Sequence, residues 1–161
     1  MERRYSARMS HPILDPWRTW SSRPMGRWIF SRMISRMVPY SGTIRPEVLS
    51  IEPGNAEVAL SDRRAIRNHL GSIHAIALVN LGELTSGLAL TTGLPAEARA
   101  IVTHLEIEYL KKARGRLVAR CRTAIPEWRT PCEHVVEATI TDLAGDAVAR
   151  VRVRWKIGPK T

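Results

Sequence analysis

Glu83 is the side chain with the most to explain. Residues 72–90 are otherwise built largely from Ile, Ala, Leu and Val, and Glu83 is the one acid among them. A lone carboxylate in such a stretch is expensive unless something uses or pairs it. His74 lies nine residues upstream and Asn68 six before that, in the polar loop Arg67-Asn68-His69-Leu70-Gly71-Ser72. If the apolar stretch is a helix, its first turn carries free backbone N–H groups at the positive end of the dipole. Ala75 N–H is then a donor that can hold an oxyanion, with a carboxylate further along the same helix. Each residue also has a plainer reading. Glu83 can be a buried acid paired with His or Arg, His74 a residue that fixes the loop, and Asn68 a hydrogen bonder at the helix entry. His69, His104 and His134 read as ordinary side chains. Cys121 and Cys132 are far from metal-ligand spacing, so no metal site is expected.

The elements that must position these residues are legible as periodicities. Residues 72–90 are expected to form a helix that is apolar almost all round and therefore buried on most sides, closed by Gly93 and Pro95. Upstream, 43–51 and 56–60 read as a hairpin across Pro53-Gly54-Asn55. Downstream, 101–109, 117–125 and 147–155 alternate apolar with polar residues, and 134–141 is a less regular strand. In the first of these, Ile101, Thr103, Leu105, Ile107 and Tyr109 share one face; in the second, Cys121 points inward. Arg120, Arg122, Arg150, Arg152 and Arg154 fall on wet faces, where edge protection and solubility account for them. The expected architecture is α+β, an antiparallel sheet of five or six strands around one long helix. One helix cannot fill a large sheet and also protect its edge strand, so two sheets are expected to pair through an edge.

Residues 1–40 carry eight Arg against Glu2 and Asp15, a net +6, and 41–161 carry 17 Lys or Arg against 13 acids, a net +4. The division expected is a basic extension over 1–40 and a domain over 41–161. Within the extension, 1–23 reads as an irregular lead-in, and 24–38 as a basic amphipathic helix capped by Ser22, with Pro24 in its first turn and Pro39 ending it. Its apolar stripe either packs on the domain or touches a membrane surface, for which Arg with Trp is suited. Basic charge without a recognition motif of aromatic and basic residues makes no case for nucleic acid. The N-terminal residues show no apolar core of a secretory signal, so the expectation is a cytoplasmic protein, with surface contact to membrane through 24–38 as an option.

The motif Asn68-x5-His74-Ala75-x7-Glu83 resembles that of hotdog-fold thioesterases of the phenylacetate-pathway and human thioesterase-superfamily type. Those carry Asn, five residues, His-Gly, seven residues and an acid on the central helix. The likeness runs over about 43–157, through the strand, basic turn and strand of 105–120 and the hairpin of 142–149. Val38-Pro39-Tyr40-Ser41-Gly42 and Arg67-Asn68-His69-Leu70-Gly71-Ser72 are similar to the DUF4442 hotdog group. The resemblance implies a hotdog fold and hydrolysis of an acyl thioester carried by coenzyme A or an acyl carrier protein. Ala75 N–H would polarise the carbonyl and Glu83 act as base or nucleophile. Asn68 would orient water, and His74 would hold the loop or the substrate. No cofactor is implied beyond coenzyme A as part of the substrate. Its phosphates would meet Lys111, Lys112, Arg114 and Arg67, unless these simply form a solvated turn. Homodimers, paired into tetramers or not, would form each site across the dimer interface. Ala75 replaces the family's Gly, and Glu83 the Asp of that branch. Two further readings stay open: a non-catalytic protein that binds acyl thioesters or fatty acids, and a membrane-surface or partner-binding protein.

Overall fold

The computed structural model describes residues 11–160. Helices α1 (Leu14–Trp20), α2 (Gly26–Met37) and α3 (Pro39–Gly42) lead into strands β1 (Glu47–Glu52) and β2 (Asn55–Leu60). The long helix α4 (Ala75–Thr91) follows, then β3 (Ala98–Tyr109), β4 (Leu117–Arg122), β5 (Cys132–Thr141) and β6 (Ala147–Pro159). One six-stranded sheet has the order β1-β2-β4-β5-β6-β3, every neighbouring pair antiparallel. This is the α+β hotdog arrangement, with the sheet curled round α4.

Side-chain alternation explains why the sheet closes on the helix. Along β6, Val151, Val153, Trp155 and Ile157 are buried towards α4, while Arg150, Arg152 and Arg154 point out. Those arginines lie on an interior strand, so they do not guard an edge as expected. They pair across strands instead: Arg152 with Glu137 at 2.9 Å, Arg150 with Glu108 at 3.2 Å and Arg154 with Glu133 at 3.9 Å. Gly82 lets α4 settle on β6, because a Cβ there would collide with Val151. Cys121 is buried as expected, and burial pushes its thiol up to about 12.

Several boundaries differ from the sequence reading. Residues 14–20 form α1 rather than an irregular lead-in, and residues 1–10 of that lead-in lie outside the described residues. Helix α2 starts at Gly26 without a side-chain cap, after Met25 in a left-handed conformation (φ 58°). It ends before Pro39 as expected, but Pro39 then opens α3, so β1 starts only at Glu47. The chain leaves β4 at Arg122, not 125. In β3 a register shift between Val102 and His104 breaks the alternation, so Val102 and Leu105 line the same inner cavity while Ile101 is exposed. A bulge adds one residue to one strand and so reverses which parity faces inward.

Both N-terminal helices belong to the core. Leu14 and Trp17 of α1 join Phe30 and Ile34 of α2, and the Trp17 and Phe30 rings meet edge-on at 5.0 Å. Ser31 on α2 is buried and accepts the Val48 N–H of β1 at 2.9 Å.

Candidate functional site

The entry to α4 is fixed by backbone hydrogen bonds from two sides. His74 N–H donates to Ile66 O at 2.8 Å, and Ile73 N–H to Ala113 O at 2.8 Å. Asn68 closes the loop: its Oδ1 accepts Leu70 N–H at 3.0 Å and Ser72 N–H at 3.1 Å. Helix α4 begins at Ala75, later than the expected 72, and His74 is its N-cap. The His74 ring accepts Ile76 N–H on Nδ1 at 3.1 Å, a geometry that leaves the proton on Nε2. Ala77 and Leu78 N–H both reach His74 O, at 3.0 and 3.3 Å. Of the first four donors of α4, only Ala75 N–H has no acceptor among the described residues. The helix start thus keeps one backbone N–H vacant at its positive end, beside an exposed imidazole. Asn68 and His74 both make hydrogen bonds that hold this entry in shape.

Glu83 lies on the one face of α4 that the sheet leaves uncovered. The helix is buried on most sides as expected, but Ile76, Val79, Glu83 and Gly87 follow at three- and four-residue steps and are exposed or half-buried. Two apolar cavities meet at Glu83. One of about 350 Å³ is lined by Tyr40, Ile76, Val79, Asn80, Val102 and Leu105. The other, about 280 Å³, lies among Ile34, Met37, Val38, Leu84, Leu88 and Trp155. The carboxylate has no ion-pair or hydrogen-bond partner among the described residues, so the paired-acid reading has no support here. Burial alone raises its pKa above the ordinary 4.5.

The structure does not bring these residues to one point within a single chain. Ala75 and Glu83 are separated by eight residues of continuous α-helix, which at the α-helical rise is about 12 Å. A reacting atom must lie within about 3 Å of both oxyanion donor and base.

A family model described as a domain of unknown function (DUF4442) matches residues 26–157. The chain belongs to the DUF4442 family. Among solved structures similar to this DUF4442 chain, a structural-genomics protein is 30% identical at a TM-score of 0.78, covering 92% of this chain and 98% of its own. A Pseudomonas aeruginosa protein of unknown function, described as a probable thioesterase, is 24% identical at a TM-score of 0.70, covering 81% and 91%. A thioesterase family protein from Silicibacter pomeroyi is 21% identical at a TM-score of 0.68, covering 81% and 96%. No match was found among curated proteins. These likenesses show that this DUF4442 chain shares its fold with those proteins.

The basic loop of this DUF4442 domain does reach the helix entry, through Ala113 O and through Gly115 N–H, which donates to Asp62 at 2.9 Å. The four candidate phosphate ligands differ in availability. Lys111 Nζ is held by Asp142 and Asp146, both at 2.6 Å, and these carboxylates raise it to about 12. Arg67 pairs with Asp62 at 2.6 Å. Lys112 and Arg114 are exposed and have no carboxylate partner among the described residues. Sequence reasoning gave no role to Tyr109, whose hydroxyl donates to Ala75 O at 3.2 Å, nor to Tyr40 and Trp155, which line the two cavities. Tyr109 ends a strand by periodicity alone, and no local signal places it over the helix start.

Proposed function

We propose that this protein hydrolyses acyl thioesters of coenzyme A as a homodimer, in sites that each combine two chains. The observation that carries the reading is Glu83: an unpaired, half-buried carboxylate where two apolar cavities meet, on the open face of the central helix. Because Ala75 and Glu83 of one chain are about 12 Å apart, the reading requires Ala75 N–H of one protomer and Glu83 of the partner subunit to face one thioester. Two-fold antiparallel pairing of the helices supplies such a match at both ends.

The sheet offers a place for that pairing. Among the described residues β3 bonds only to β6 and its other edge is unpaired, with Ile101, Leu105 and Tyr109 exposed along it. Joining two sheets there would lay the open faces of two α4 helices towards each other. Further association of such dimers into tetramers is compatible with this surface.

In the site so formed, Ala75 N–H donates to the thioester carbonyl oxygen as it gains negative charge. Glu83 takes a proton from water, the hydroxide adds to the carbonyl carbon, and the C–S bond breaks. The proton then passes from Glu83 to the departing thiolate, which gives a carboxylic acid and a thiol. Direct attack by the carboxylate, followed by hydrolysis of the mixed anhydride, uses the same residues. The raised pKa of Glu83 brings its basicity closer to what proton abstraction near neutral pH requires. Lys112 and Arg114, exposed in the loop that contacts the helix entry, would meet coenzyme A phosphates, and the apolar cavities would take the acyl chain.

The test is thiol release from coenzyme A esters of graded acyl length by wild type, Glu83→Gln, Ala75→Pro, and mixed dimers of the two variants. Wild-type turnover should be lost in each variant alone. Random mixing should restore about one quarter of wild-type sites, because half the dimers are mixed and each holds one intact site. Turnover in Glu83→Gln, or mixed dimers as inactive as their parents, would remove the shared-site mechanism. Tight binding of the esters with no hydrolysis would leave a non-catalytic acyl-thioester binder.

A further inference from the structure

Helix α2 presents one face to the core and a chemically different one to solvent. Phe30, Ser31, Ile34 and Gly26 are buried, and Gly26 lies against the α1 backbone, where a Cβ would collide with Trp20 O. With the Ser31 hydroxyl bonded to β1, these contacts fix the rotation of the helix about its axis. At 3.6 residues per turn, Trp28, Arg32, Met25, Arg36 and Ile29 then fall within an arc of about 100° on the outside. Met25 is 69% exposed, Trp28 54% and Ile29 43%. Gly26, Phe30 and Ile34 of the expected apolar side do pack on the domain, but Ile29 joins Trp28 and the arginines, so large apolar and cationic groups share the outer face.

The charge on this face is all of one sign. Between Asp15 and Glu47 the sequence contains six Arg and no acid. Arg18 contacts Asp15 at 4.0 Å, while Arg23, Arg27, Arg32 and Arg36 have no carboxylate partner among the described residues. The Arg32 guanidinium lies over the Trp28 ring, 5.5 Å from its centre, so cation and indole occupy the same level. A second copy is a poor occupant, because two such faces would set Arg against Arg. The free edge of β3 differs on this point, since Glu106 and Glu108 sit there beside Arg150 and Arg152. Aliphatic and indole groups among unpaired guanidinium groups match the boundary of an anionic bilayer, where acyl chains and phosphates lie a few ångströms apart. Among the described residues no helix is long and apolar enough to cross a membrane, so contact by these elements is from one side.

We propose that the outer face of α2 docks this protein on anionic lipid surfaces, with Trp28, Ile29 and Met25 entering the headgroup layer and Arg32 and Arg36 meeting lipid phosphates. The full chain should float with vesicles of phosphatidylcholine and phosphatidylglycerol, stay in solution with phosphatidylcholine alone, and be released by salt. Arg32→Ala/Arg36→Ala should weaken the partition roughly 30-fold, at about 5-fold per arginine. Trp28→Ser/Ile29→Ser should also release the protein while leaving its charge unchanged. Both variants should keep the wild-type melting temperature and the wild-type mass by light scattering. Equal flotation with both lipid mixtures, or flotation unchanged in both variants, would overturn the proposal. So would a fall in oligomeric mass in either variant, which would assign the face to a second copy.

Discussion

Replacing Ala75 by proline removes the vacant N–H and almost nothing else. Ala75 is the first residue of α4, the one helical position where proline is favoured, since the lost donor has no intrahelical partner there. The residue before a proline must avoid the helical region, and His74 already does so, at φ −64° and ψ 141°. Ile76 N–H still bonds to the His74 ring, and Ala75 O still accepts from Tyr109. Stability should therefore hold or rise by up to about 1 kcal/mol as the unfolded chain loses freedom. For a domain of this size that is a rise of about 2–4 °C in melting temperature. Turnover should fall sharply, because loss of one oxyanion donor costs about 100- to 1,000-fold in kcat. Calorimetry and thiol release on the same preparation give both quantities. Ala75→Gly keeps the donor and should stay active. Full kcat in Ala75→Pro would refute the oxyanion assignment. A drop of several degrees would instead refute the placement of Ala75 at the first helical position.

Glu83→Gln should be more stable than wild type at neutral pH. The folded state raises the pKa of Glu83, so wild-type stability declines as pH rises from the ordinary 4.5 through the raised value. The advantage of the variant should therefore shrink below pH 4.5 and be constant above the raised pKa, as denaturant midpoints across pH will show; a pH-independent difference would contradict a burial origin. Gly82→Ala should destabilise by about 1–3 kcal/mol despite alanine's better helix propensity, because the added methyl meets Val151 on β6. A stabilised Gly82→Ala in thermal melts would show that α4 does not rest on β6 as closely as described.

The order of elements was legible because it rests on periodicity, which survives in a linear string; the open face that carries Glu83 was not, because the helix is apolar almost all round. Helix starts were less legible, and His11 and His74 show why. The His11 ring accepts Leu14 N–H at 3.1 Å while Asp15 accepts His11 N–H at 2.8 Å, a reciprocal pair that fixes the turn leading into α1. His74 caps α4 with the same ring nitrogen. Sequence rules favour Ser, Thr, Asp and Asn as caps and give no weight to a histidine ring, so neither start is marked in the sequence. The β3 bulge was hidden for another reason: one extra residue reverses the parity of everything after it without altering composition. The free partners of the basic residues were hidden too, since only folding brings Asp142 and Asp146 to Lys111 and spares Lys112.

The open face of α4 should tie activity to concentration. Ile76 is exposed, Val79 and Gly87 are half-buried, and Glu83 stands between two cavities, so one chain leaves apolar surface in water. Under the proposed pairing, a second copy covering that surface would stabilise the pair, remove water from Glu83, and bring the vacant Ala75 N–H within reach of the partner's carboxylate. All three effects depend on the same contact and should be lost together. On dilution, specific activity should therefore fall in step with the fraction of dimer seen by light scattering, while the secondary structure of each chain persists longer. Excess Glu83→Gln chains added to dilute wild type should recover part of the lost turnover, since each mixed dimer keeps one intact site. Specific activity independent of dilution into the monomer range would mean that one chain suffices, and that the distance along α4 has been bridged by some other group.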